Sequence, residues 1–276
     1  MPRFAANLTV LFTEVPFLER FAEAAHAGFR GVECLFPYDV PAREIAERLA
    51  AHRLEQVMFN APPGDWAAGE RGTAALPGRE HEFAADFAKA LRYAQALECS
   101  RIHVMAGLLP PGADAEHRAR QRSTLIRNLR FACDEAASQG VTVLLEALNP
   151  RDVPNYFYSR QADVHAVREE VGAPNLKAQL DLYHAQIVEG DLSETIRRWL
   201  PHVGHVQIAG VPGRHEPDIG EINYAWIFKL LDDLKYDGWI GCEYRPAQST
   251  HGGLTWLYRL LDRRKAAVAA GPGEDD

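Results

Sequence analysis

The chain has 276 residues, 47% of them hydrophobic and 25% charged, with a formal net charge of -8. These are the proportions of a globular chain with a sizeable core, and the acidic balance argues against the basic surface that holds a phosphate backbone. Four cysteines, Cys34, Cys99, Cys133 and Cys242, stand far apart with no CxxC pair, the pattern of reduced thiols in a cytoplasmic protein. The opening MPRFAANLTVLF lacks a basic segment followed by a long apolar one, and no stretch approaches the ~20 apolar residues of a membrane span. The NLT at 7–9 matches a glycosylation acceptor, but without a secretion signal it reads as coincidence.

Short β-rich apolar runs alternate with longer amphipathic ones along the chain. Strands are predicted at 4–12, 31–36, 54–60, 101–107, 141–148, 176–183, 203–209 and 239–245. Between them, PFLERFAEAAHAG and EFAADFAKALRYAQALE repeat apolar residues at spacings near three and four, the signature of helices with one buried face. Gly28, Gly140 and Gly238 precede strands and suit left-handed helix ends. Alternation of this kind predicts a parallel α/β architecture. Eight units close a (β/α)8 TIM barrel; an open doubly wound sheet is the alternative, though no glycine-rich phosphate loop favours it. One barrel domain is expected over 1–262, with 263–276, ending in GPGEDD, a frayed extension. The connection APPGDWAAGERGTAALPGR, 61–79, exceeds the roughly 12 to 15 residues at which structureless loops become uncommon. In a barrel it lies on the C-terminal face, where active sites form.

Four predicted strands end with a polar residue inside an apolar run: Glu146 in VLLEAL, Asp181 in QLDLYH, Gln207 in HVQIAG and Glu243 in IGCEYR. They come from strands five to eight, so closure brings them to one side of the mouth. A single such acid is often only a cap or a salt-bridge partner; four on consecutive strands point to a site. Three carboxylates together resist ionisation unless a cation lies between them. A divalent ion resolves this and gives the amide oxygen of Gln207 a partner. The all-oxygen donor set favours Mg2+ or Mn2+ over zinc. His184, three residues after Asp181, could reach a substrate oxygen, whereas His205, two residues deeper than Gln207, suits the barrel layer below. Glu33 and Asn7 could line the mouth or brace loops. Arg71 and Arg214, on long mouth loops, suit an anionic substrate because a guanidinium forks onto a carboxylate. Trp66 could fold over a bound ligand.

With RFAANL, GFRGVE, FPYD, GDWAAGERG, PGRE, LDLYH, HVQIA, GEINY and GWIGCEY, the sequence resembles the hydroxypyruvate isomerase family, within the sugar isomerase and epimerase group. The likeness spans nearly the whole chain and departs from the pattern chiefly past residue 262. It implies a xylose isomerase-like barrel, a metal held by Glu146, Asp181, Gln207 and Glu243, and Glu146 and Glu243 as the acid/base pair. It also implies isomerisation of hydroxypyruvate to tartronate semialdehyde, with 2-dehydrotetronate as the alternative substrate. Relatives acting on free ketoses usually carry histidine where this chain has Gln207, which points away from the 3-epimerases. A small carboxylic acid is thus the expected partner, with no nucleic acid or membrane and with a homo-oligomer left open. The remaining alternatives are an abasic-DNA endonuclease, which should carry a basic face, and a non-catalytic sugar-acid binding barrel, which should lack the acid/base carboxylates.

Overall fold

A computed structural model describes residues 2–260. Among them, eight parallel strands pair in chain order and the last closes onto the first. They are β1 (Arg3–Asn7), β2 (Gly31–Cys34), β3 (Glu55–Asn60), β4 (Arg101–His103), β5 (Thr142–Glu146), β6 (Leu176–Asp181), β7 (Val203–Ile208) and β8 (Trp239–Cys242). The pairing of β1 with β8, from Arg3 opposite Trp239 to Ala6 opposite Cys242, excludes the open sheet. All eight expected strands form, but most are shorter than predicted at their C-terminal ends, because the chain leaves the ladder there to build the mouth loops. Glu243, for example, lies one residue past β8, where its N–H still reaches the Ile208 carbonyl at 3.1 Å.

The helices around the strands are α1 (Arg20–His26), α2 (Ala42–His52), α3 (Glu80–Ala96), α4 (Ala115–Ala137), α5 (Gln161–Val171), α6 (Leu182–Val188), α7 (Leu192–Trp199), α8 (Tyr224–Asp233) and α9 (Thr250–Gly253). In α3 the residues turned inward are Phe83, Phe87, Ala90, Leu91 and Ala94, the three-and-four spacing read from the sequence. Each large one contributes roughly 1.5 to 3 kcal/mol by leaving water. They meet outward-facing strand residues such as Ile102 and Phe59 in one continuous core. No described helix is long and apolar enough to cross a membrane.

Gly28, just past α1, takes the left-handed conformation expected of it, with φ 95°. Gly238 does not. The left-handed residue after α8 is Lys235, with φ 57°, and Gly238 is required instead by the Tyr236 ring, whose hydroxyl would lie 2.4 Å from an added Cβ. The four cysteines are buried and unpaired. Asn7 of the NLT triplet is wholly buried at the end of β1, closed to any glycosyl transfer in the folded chain. The expected extension at 263–276 lies outside the described residues.

Candidate active site

Glu146 ends β5, Asp181 ends β6, Gln207 is next to last in β7 and Glu243 follows β8. Register does the gathering: Asp181 lies opposite Gln207, and Gln207 opposite Gly241. Glu146, Gln207 and Glu243 line one cavity of about 90 Å3 together with His184, Arg71, Arg214 and Trp66. Its size suits a ligand of a few carbons rather than a macromolecule. A larger groove of about 280 Å3 lies beside α8 and Trp256, but none of these carboxylates reaches it.

Ligand atoms of Glu146, Asp181 and His184 lie within 4.8 Å of one another. Burial and the neighbouring carboxylates of Glu243 and Asp181 hold Glu146 well above the usual range. Burial raises Asp181 to about 6 and Glu243 to about 7, with Arg214 opposing the shift in both. Burial works against the charge on Arg214, but Glu243, Asp181 and Glu146 more than offset it and raise its pKa. The Arg214 guanidinium lies 2.9 Å from Glu243 Oε2 and 3.5 Å from Asp181 Oδ2. Its backbone is left-handed, φ 56°, an uncommon state for a non-glycine residue. It is held there by Arg214 N–H to the Gly210 carbonyl, 2.7 Å, and by Arg245 N–H to the Arg214 carbonyl, 2.7 Å.

Three carboxylates facing one guanidinium leave excess negative charge that a divalent cation would neutralise. Oε1 of Glu146 is buried without a hydrogen-bond partner, as an atom awaiting a cation would be. The carboxylates of this buried cluster could bind a metal, with His184 beside them, and the donor chemistry fits one.

Gln207 is fixed from below. Its Nε2 donates to Glu33 Oε1 at 2.7 Å and its Oε1 accepts from Gln179 Nε2 at 2.6 Å. A carboxylate only accepts, so Glu33 determines which end of the amide is nitrogen, and the carbonyl oxygen keeps one lone pair free. Glu33 is wholly buried and also meets Asn7 Nδ2 at 3.0 Å and His205 Nε2 at 2.6 Å. Gly241 makes room for it, since a Cβ there would lie 2.2 Å from Glu33 Oε2. Glu33 and Asn7 therefore brace the floor and do not line the cavity, and His205 sits in the layer beneath.

Asp181 accepts from the Tyr183 N–H at 2.8 Å, capping α6, and this carries His184 on the first turn over the cavity. The backbone N–H of Asn149 donates to His184 Nδ1 at 3.1 Å. That ring nitrogen is thus the acceptor, and the neutral tautomer carries its proton on Nε2, 3.6 Å from Asp181 Oδ2. A metal ligand would need the lone pair there, so this tautomer is built to donate to an oxygen. Burial holds the ring neutral, well below its ordinary pKa.

The 61–79 connection covers the mouth. The Arg71 guanidinium lies 3.7 Å over the half-exposed Trp66 ring, which meets Phe36 edge-on at 5.0 Å. Glu70 anchors the turn by accepting from Asp65 N–H at 2.6 Å and by pairing with Arg79.

Three polar residues of the cavity escaped the sequence reading: Asn60, His103 and Gln179. Asn60 and His103 end β3 and β4 and lie opposite each other in register. Their signal, a polar residue in an apolar run, was the one that marked Gln207. His103 was hidden because its strand was read four residues too long, which put it far from the mouth. Its Nδ1 lies 3.7 Å from Glu146 Oε2, and burial pushes it down to about 3, leaving a neutral imidazole.

The xylose isomerase-like TIM barrel family matches residues 21–260. The 2-oxo-tetronate isomerase of Cupriavidus necator is 58% identical over 95% of this chain and 100% of its own length. The hydroxypyruvate isomerase of Escherichia coli is 44% identical over 93% of this chain and 98% of its own. Among solved structures, an AP endonuclease, family 2, from Brucella melitensis superposes with a TM-score of 0.91 at 52% identity, covering 94% of this chain and 99% of that one. An L-ribulose 3-epimerase, at 20% identity and a TM-score of 0.76, shares the fold. The chain therefore belongs to the xylose isomerase-like TIM barrel family, and within it to the hydroxypyruvate isomerase group of isomerases.

Proposed function

We propose that the protein is a divalent metal-dependent isomerase of a short 2-oxo acid bearing a hydroxyl on C3, and that it moves the carbonyl from C2 to C3. The observation that carries this reading is the convergence of Glu146, Asp181, Gln207 and Glu243 at one rim of the mouth beside Arg214. Hydroxypyruvate and 2-oxo-tetronate both fit the chemistry, differing only by a hydroxymethyl group on C3. The 58% identity to a 2-oxo-tetronate isomerase favours the four-carbon acid, ahead of the three-carbon one that the sequence resemblance suggested.

Glu146, Asp181, Gln207 and Glu243 would hold the metal, Mg2+ or Mn2+ given oxygen donors alone. When bound, the ion supplies Lewis-acid stabilisation of the negative charge that develops on the substrate oxygens. Proton transfer falls to the protein. One of Glu146 and Glu243 takes the C3 proton and the other returns one to C2, through an enediolate of the substrate. Burial raises both carboxyls, Glu243 to about 7, which suits groups that both take and give protons. His184, with its proton on Nε2, donates to a substrate oxygen. Arg71 and Arg214 receive the substrate carboxylate, and Trp66 covers it.

The test is turnover by metal-stripped protein resupplied with Mg2+ or Mn2+, followed by NMR with hydroxypyruvate and 2-oxo-tetronate in parallel. Metal-restored conversion of either acid supports the reading. Conversion of a free ketose alone would replace it with an epimerase.

A further inference from the structure

Asn60, His103 and Glu146 are the last residues of three consecutive strands, and all three line the mouth cavity. Two of them keep unspent polar atoms: Asn60 Oδ1 and both ring nitrogens of His103 are buried with no hydrogen-bond partner. Buried polar groups are nearly always paired in folded proteins, so each such atom calls for a partner that completes the site. Around them stand Met58, Met105 and Leu35, which offer no hydrogen bond.

We infer that Asn60 and His103 form a specificity subsite for the terminal hydroxymethyl group of a four-carbon 2-oxo acid. This rests on the isomerase reading above. Two features set the chemistry. Asn60 and His103 offer no guanidinium or ammonium to a carboxylate, which leaves that end of the substrate to Arg71 and Arg214 on the loops. A hydroxyl both donates and accepts, and it meets an imidazole that does the same and an amide oxygen that accepts. Position follows from Glu146. A carboxylate that moves a proton at C2 or C3 stands next to the substituent on C3, and His103 Nδ1 lies 3.7 Å from Glu146 Oε2. With a three-carbon substrate the corner holds water instead.

The test compares 2-oxo-tetronate, its 4-deoxy analogue and hydroxypyruvate on the metal-loaded full chain and on the variants His103→Leu and Asn60→Leu. Wild-type kcat/KM should fall at least about tenfold when the 4-hydroxyl is removed, as sites built to bind a hydroxyl discriminate against its loss. In His103→Leu that preference should shrink to less than about threefold. The ratio is taken within one preparation, so partial unfolding cancels. If His103→Leu does not fold, Asn60→Leu and the wild-type comparison still decide. Equal wild-type rates with and without the 4-hydroxyl would overturn the subsite, as would equal losses for both substrates in the variants, which would reduce His103 to a support for Glu146. Wild-type conversion of hydroxypyruvate in either case would leave the isomerase reading standing. No conversion of any of the three acids would overturn both.

Discussion

Gln207 donates a side-chain N–H to Oε1 of Glu33 across 2.7 Å, though the residues are 174 positions apart. This bond orients an amide that could otherwise flip and turn its nitrogen, which cannot bind a cation, toward the proposed metal position. Outer partners of this kind typically carry 10- to 100-fold of metal affinity, to order of magnitude. Glu33→Gln should therefore weaken Mn2+ binding by about tenfold or more while the circular dichroism spectrum stays native. Titration calorimetry reads the affinity, and an unchanged value would remove Glu33 from any role in the metal site.

Glu146→Gln and Glu243→Gln keep side-chain shape but remove the proton-transfer group. Each should lower kcat by roughly 10^2 to 10^4, the usual range for a lost general acid or base. Each should also weaken metal binding, because one charged ligand becomes neutral. Near-normal turnover in either variant would refute its acid/base role.

Gln207→His replaces an oxygen donor with a nitrogen. The variant should still bind metal but shift its preference toward Zn2+ or Co2+ relative to Mg2+. Competition binding across the series checks this, and an unchanged order would mean that Gln207 does not touch the ion.

The carboxyls make the metal-free protein sensitive to pH. Burial lifts Asp181 from an ordinary 3.8 to about 6, and Glu243 from 4.5 to about 7. Because the folded values lie above the unfolded ones, this contribution to stability is complete at pH below the unfolded values and is lost progressively as pH rises from 3.8 to about 6 for Asp181 and from 4.5 to about 7 for Glu243. Metal-free Tm should fall across that window. Mg2+ or Mn2+ at 100 times its Kd should restore about 2.7 kcal/mol, binding more tightly at higher pH because the ligands must be deprotonated. Differential scanning calorimetry of stripped and loaded protein at several pH values measures both trends. A flat metal-free profile would contradict them.

Much of this site was legible because a β-strand encodes burial by alternation. Glu146 and Gln207 stand out as polar residues in apolar runs, and closure of eight parallel units dictates that strand ends meet. The floor was harder to read. Glu33 sits in GVEC exactly as a mouth residue would, and only the room left by Gly241 and the approach of His205 and Asn7 show that it points into the layer below. His103 was obscured because β4 forms just three ladder residues before turning into the mouth, and apolar content does not mark where a ladder ends. The tautomer of His184 depends on Asn149, 35 positions away, a contact that no local pattern encodes.

The proposed reaction turns on metal-dependent proton transfer between C3 and C2 of a short 2-oxo acid. Its most direct measurement is NMR in D2O of 2-oxo-tetronate and hydroxypyruvate with stripped protein, before and after addition of Mg2+ or Mn2+. Deuterium should enter at C2 or C3 as the isomer appears, only with metal present, and should be absent with Glu146→Gln. Turnover without metal, or an isomer formed with no deuterium in either wild-type product or substrate, would contradict it.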